Sequence, residues 1–174
     1  NLNTLSLHDA LPISAHLLLP TLRSRCQTHT LSWPDAAPAL QWLVSQGVAP
    51  KDAQVLLDAA GGRPEDAWAM AQSGLKASTW LALPKAVARG EALALQAWTP
   101  AQVVAVLQKI CHDCQMLAVG AAPRFFPAPA LPVGAPLAAL TQWSKDLLSS
   151  ARTAEHPFNA GLMLEALVSQ ARGA

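Results

Sequence analysis

The sequence predicts an all-α protein. Apolar residues recur at three- and four-residue spacing in one segment after another, as in Val103, Val104, Val106, Leu107, Ile110 and Cys111. Glycine or proline punctuates these segments at intervals that suit helix ends, as at Gly47, Pro50, Gly61-Gly62, Pro64 and Gly74. Only Cys26 to Leu31 alternates in the manner of a strand, with Thr28 and Thr30 on it. A lone strand of that length has no stability without partners, so its sheet is expected in a part of the protein that precedes this sequence.

Composition narrows the functional classes. Of 174 residues, 52% are apolar, enough for a real core, and only 13% are charged, with a net charge of +1. No basic stripe marks a nucleic-acid surface of the chain's own. Three cysteines and no basic leader segment suit a reducing cytoplasm. No run approaches the roughly 18 apolar residues of a membrane helix.

The first thirteen residues do not fit the rest. The chain does not begin with Met, and Thr4 to Ile13 resembles the translation of one frame of a common sequencing adapter. Residues 1–13 are therefore expected to be a non-native artefact, His8 and Asp9 included, and the natural sequence is expected to begin near Ser14, inside a longer protein.

From Trp33 the signals are helical. Ser32 and Asp35 have capping-box spacing, and Pro34 suits a first turn. Leu40, Leu43 and Val44 give the first helix its apolar face, and Gly47 ends it. A second helix is expected over Pro50 to Ala60, with Val55, Leu56 and Leu57, stopped by Gly61-Gly62. Pro64 opens a third, with Ala67, Trp68 and Ala71 on one side and Gly74 after it. These make a compact three-helix bundle over 34–74. A larger helical unit is expected over 75–174. Trp80, Leu81 and Leu83 share a helix that Pro84 breaks or restarts. Gly90 separates it from Glu91 to Trp98. Thr99-Pro100-Ala101-Gln102 is a capping box opening a long helix that ends near Gly120. Ala121 to Pro136, rich in proline, is a connector. Leu137, Leu140, Trp143, Leu147 and Leu148 define another amphipathic helix, and His156-Pro157-Phe158-Asn159 opens the last, with Leu162, Leu164, Leu167, Val168 and Ala171.

Candidate chemistry is sparse. Cys111-His112-Asp113-Cys114 has two cysteines on one helix face, but a zinc site needs about four ligands and no second pair accompanies it, so the cysteines read as core residues. No Gly-rich loop with Lys-Ser/Thr is present to cradle a phosphate. The six tryptophans read as core and interface anchors, since no basic residues interleave with them. Pro20-Thr21-Leu22-Arg23-Ser24-Arg25-Cys26 is different: two guanidiniums stand two residues apart in a chain poor in charge. A guanidinium stays charged and offers a planar fork that fits phosphate oxygens; the plain alternative is a pair with a carboxylate.

That segment closely resembles the Ser-Arg-Cys motif of bacterial clamp-loader subunits, in the AAA+ family. Two further stretches are similar to the same family: Ala59-Ala60-Gly61-Gly62-Arg63-Pro64-Glu65-Asp66-Ala67 to the sensor-two turn of the lid domain, and the His-Pro-Phe-Asn start with its leucine-rich helix to the last helix of the delta-prime subunit. The resemblance implies that 14–33 is the end of an ATPase module, 34–74 a three-helix AAA+ lid, and 75–174 a helical collar for oligomerisation. It implies that Arg25 is an arginine finger acting in trans, with Arg23 as support. The chain itself would bind no cofactor, because ATP-Mg would sit on the neighbouring subunit. In ATP-using relatives an arginine precedes the Asp-Ala pair of the lid; here Glu65 stands there, and a carboxylate repels a γ-phosphate. Arg63, two positions earlier, reads as a plain surface arginine, with a substitute cation for the lid as the lesser alternative. The implied function is that of the stator, or delta-prime, subunit of the DNA polymerase III clamp loader. Its partners would be gamma/tau and delta subunits in a heteropentamer and, through them, the sliding clamp and primed DNA. No catalysis is expected from this chain alone, only membership of a cytoplasmic DNA-directed DNA polymerase holoenzyme. Two alternatives stay open: a fragment of a gamma/tau-type subunit, and a stand-alone helical adaptor.

Overall fold

The computed structural model describes residues 19–27, 35–153 and 160–172. The chain divides into a unit of residues 1–33 and a unit of residues 34–174. In the first, the described element is a one-turn helix, α1 (Pro20–Arg23). Of the strand expected over Cys26 to Leu31, Cys26 lies in a bend and Gln27 is irregular, and the remainder falls outside the described residues. The artefact expected at 1–13 also falls outside them.

The second unit is helical. Its elements are α2 (Ala36–Ser45), α3 (Pro50–Ala59), α4 (Pro64–Gln72), α5 (Ala77–Ala88), α6 (Pro100–Ala118), α7 (Leu137–Thr153) and α8 (Ala160–Arg172), with short 3-10 turns at Ala92–Leu95 and Ala128–Ala130. Among the described residues there is no strand, and no helix is long and apolar enough to cross a membrane.

Helix ends follow the chemistry of the sequence. Proline opens α3, α4 and α6, where its missing N–H costs nothing. At the end of α2, Gly47 N–H donates to Val44 and Val48 N–H to Leu43, the paired bonds of a Schellman motif, with Gly47 at φ +89°. The same pattern closes α3, where Gly61 N–H donates to Asp58 and Gly62 N–H to Leu57. Thr99 and Gln102 form the capping box of α6: Thr99 N–H donates to Gln102 Oε1 at 2.9 Å, and Gln102 N–H to Thr99 Oγ1 at 3.3 Å.

Two expectations are corrected. Helix α2 starts at Ala36 behind Asp35, whose carboxylate makes no cap bond; Ser32 and Pro34 fall outside the described residues. Pro84 neither breaks nor restarts α5, which runs through it. The cost of an interior proline, a lost bond and a ring clash together worth about 3 kcal/mol, is offset by burial of Trp80, Leu83, Pro84, Ala86 and Val87 on that helix. After Gly90, Ala92–Leu95 forms a 3-10 turn, with Leu95 buried, Ala92 and Trp98 packed partly against the same core, and Leu93 81% exposed. Helix α8 begins at Ala160, and His156 to Asn159 fall outside the described residues.

Burial sorts into two clusters. One contains Ala39, Leu43, Val48, Ala53, Leu56, Leu57, Ala60 and Ala67, from α2, α3, α4 and their turns. The other is larger and is built around Trp80, Leu107, Ile110, Trp143, Leu147 and Leu167. Met70 and Leu75 pack against both, so the seam between the clusters runs beside Gly74.

Candidate functional site

The candidate segment is small and open. Helix α1 turns once and stops, and Ser24 closes it: Ser24 N–H donates to the carbonyl of Pro20 at 3.0 Å and its hydroxyl to that of Thr21 at 3.2 Å. Arg25 and Cys26 follow on an exposed turn. Among the described residues Arg25 takes part in no ion pair, so the carboxylate partner weighed as the plain alternative is not found there. Arg23 is the last residue of α1.

The turn before α4 is built on glycines. Gly61 has φ +66°, and a Cβ there would come within 3.2 Å of Phe125 Cε1 and 3.5 Å of both Arg63 and Arg124. Glu65 is exposed in the first turn of α4, where a negative charge meets the positive end of the helix dipole. Arg63 is ion-paired with Asp66 one turn on. That pairing gives Arg63 an ordinary structural use, and the cation contemplated as a substitute for a lid arginine is thereby already engaged.

Around this turn lie charged residues that the sequence reading passed over. Lys109 Nζ donates to the carbonyl of Ala59 at 2.7 Å, and Arg124 Nη2 to that of Gly61 at 3.0 Å. Two cations thus cover the negative end of α3. Lys109 also lies over the rings of Trp80 and Phe125, at 5.4 and 5.5 Å from their centroids. Burial, and then the nearby Arg63 charge, hold its pKa below the usual lysine value, against the pull of Asp66.

Asp113 is the other omission. Its carboxylate is fully buried. It accepts the backbone N–H groups of Arg124 at 2.8 Å, Phe125 at 2.7 Å and Phe126 at 2.8 Å, and lies 2.9 Å from His112 Nδ1. One side chain of α6 therefore organises the 121–136 connector. Phe126, ordered in this way, stacks on Trp80 at 4.7 Å, and Trp80 Nε1 donates to the carbonyl of Phe125 at 3.1 Å. A signal for this was present: Val106, Ile110, Asp113 and Leu117 share one helical stripe, and a carboxylate in such a stripe needs buried donors.

Cys111 and Cys114 are both buried. The Cys111 thiol donates to the carbonyl of Leu140 at 3.3 Å. Burial pushes the Cys111 thiol up to about 12 and the Cys114 thiol to about 11, with Cys114 and Asp113 respectively adding to the rise. Thiolate is the reactive form, so both are expected to be inert at neutral pH. Brief iodoacetamide treatment of the native chain at pH 8 should label exposed Cys26 and leave Cys111 and Cys114 unmodified until the protein is unfolded, as read by peptide mass spectrometry. Among the described residues no group of three His, Cys, Asp or Glu side chains is placed to hold a metal ion.

Compared with family models, with curated proteins and with solved structures, the chain gives no match.

Proposed function

We propose that the chain is part of a delta-prime-type subunit of a bacterial clamp loader, a stator that supplies Arg25 in trans to a neighbouring ATP site. The observation that carries this reading is the segment Pro20-Thr21-Leu22-Arg23-Ser24-Arg25-Cys26, which ends in an exposed turn with Arg25 unpaired among the described residues. An arginine used in trans must be unengaged within its own chain, and among the described residues Arg25 makes no ion pair.

Other features support the reading. The helices over 36–72 suit a three-helix lid, with its glycine turn before α4. Glu65 takes the place of a nucleotide-contacting arginine, which suits a subunit that does not hydrolyse ATP itself. In the collar assigned to 75–174, Leu140, Trp143, Leu147, Leu167 and Val168 are used in the chain's own core. Leu137 and Leu148 are 46% and 57% exposed, and the reading assigns them to contacts with neighbouring subunits.

The test is assembly combined with nucleotide binding. The full-length subunit, mixed with ATP-binding gamma/tau-type and delta-type subunits, should enter a five-membered ring once per ring, as weighed by native mass spectrometry. The 174-residue chain alone should give no heat with ATP at micromolar concentrations. Micromolar binding by the chain would favour the gamma/tau-type reading instead. Failure to join any ring would leave the helical adaptor.

A further inference from the structure

A half-open cleft of about 400 Å³ lies along the seam between the two hydrophobic clusters. Its walls include Met70, Leu75, Trp80, Trp98 and Val106, and Lys109 is the one charged side chain among the described residues that line it. The indole rings of Trp80 and Trp98 are near-parallel, 16° between planes and 6.3 Å between centroids. Along α6, Gln102, Ala105, Val106 and Lys109 follow one another at helical spacing, so the helix presents a strip from the amide to the ammonium.

Lys109 is the feature that needs an account. An ammonium has three donors. Within the described structure one reaches the carbonyl of Ala59, and the lysine takes part in no ion pair. The nearby acid, Asp66, is bound to Arg63. A carbonyl and two aromatic rings serve this partly buried cation but bring no full negative charge, and an incoming anion would add a charge-assisted bond. The remaining wall mixes apolar side chains with the polar Ser73, Thr79 and Gln102, and the volume is near the small end of ligand clefts, roughly 300–1,000 Å³.

We propose that this cleft binds a small aromatic carboxylate, its ring system lying against the half-buried Trp98, Met70 and Leu75 and its carboxylate on Lys109. The occupant would touch Met70 and Leu75, which belong to both clusters, and would tie α4 to α5 and α6. The proposal is independent of the clamp-loader reading, because none of these residues belongs to the Arg25 segment.

Ligand-observed fluorine NMR on the whole chain tests it, with 6-fluoro-2-naphthoate and the neutral 6-fluoro-2-naphthamide as probes. The acid should bind, and the amide should bind about tenfold more weakly, as loss of one charge-assisted bond implies. Lys109→Met, which keeps the apolar stem, should erase that preference. Ala105→Phe, at an exposed position of the wall, should abolish binding of both probes while the melting curve stays cooperative. Equal affinity for acid and amide, no binding by either probe, or binding that survives Ala105→Phe would overturn the proposal. Should Lys109→Met fail to fold, the Ala105→Phe and acid-against-amide comparisons still decide it.

Discussion

Asp113→Ala should lower the stability of the chain by about 4 kcal/mol, because three backbone donors, one buried and two part-buried, lose a charged acceptor at once. Each of the three N–H groups, of Arg124, Phe125 and Phe126, lies within 2.8 Å of the carboxylate. A buried donor left without a partner costs about 1–3 kcal/mol, and the lower end applies where water can follow the side chain out. Asp113→Asn keeps one acceptor oxygen but turns an amide N–H₂ towards one of the donors, so a loss of about 2 kcal/mol is expected. Urea unfolding followed by tryptophan fluorescence measures both. Hydrogen exchange adds a positional readout: amide protection at 124–126 should fall in the variants by more than at Ala53 or Leu56 in the other cluster. A cost below about 1 kcal/mol for Asp113→Ala would mean that the connector is ordered by its aromatic packing alone.

This residue also shows where the sequence stopped being informative. The helices of the second unit were legible because each is amphipathic and bounded by proline, glycine or a capping pair. The α6 capping box and the glycine ends of α2, α3 and α4 needed no tertiary information. Pro84 was misread because the local rule, that proline breaks a helix, was outweighed by burial on both sides of it. Asp113, Lys109 and Arg124 were missed because their partners are backbone groups 11 to 63 positions away, and no spacing rule reaches that far. Arg25 was singled out by the wording of its segment alone, and its exposure is what the structure adds.

The largest effect belongs to Arg25, in the assembled ring. A γ-phosphoryl group in transfer spreads negative charge over its oxygens, and a guanidinium from a neighbouring subunit stabilises that charge as it develops. In other phosphoryl-transfer systems such a finger is worth roughly 10³–10⁵ in rate. On the proposed reading, Arg25→Ala should leave the ring assembled, because Arg25 is exposed and takes no part in either hydrophobic cluster. It should nevertheless cut ATP turnover at the one site it completes by about 10³-fold or more. Arg25→Lys should recover little, since an ammonium is a point charge and lacks the planar fork. Arg23→Ala should have a smaller effect, if Arg23 supports the loop while Arg25 reaches the nucleotide.

The most direct measurement is single-turnover ATP hydrolysis, in the presence of sliding clamp and primed DNA, by rings reconstituted with full-length subunit carrying Arg25→Ala and with ATP-binding subunits inactivated at every site but the adjoining one. The reading predicts an intact ring, by native mass spectrometry, with hydrolysis at that site nearly abolished. Wild-type turnover in a ring shown to contain the Arg25→Ala subunit would contradict it and make Arg25 a surface arginine.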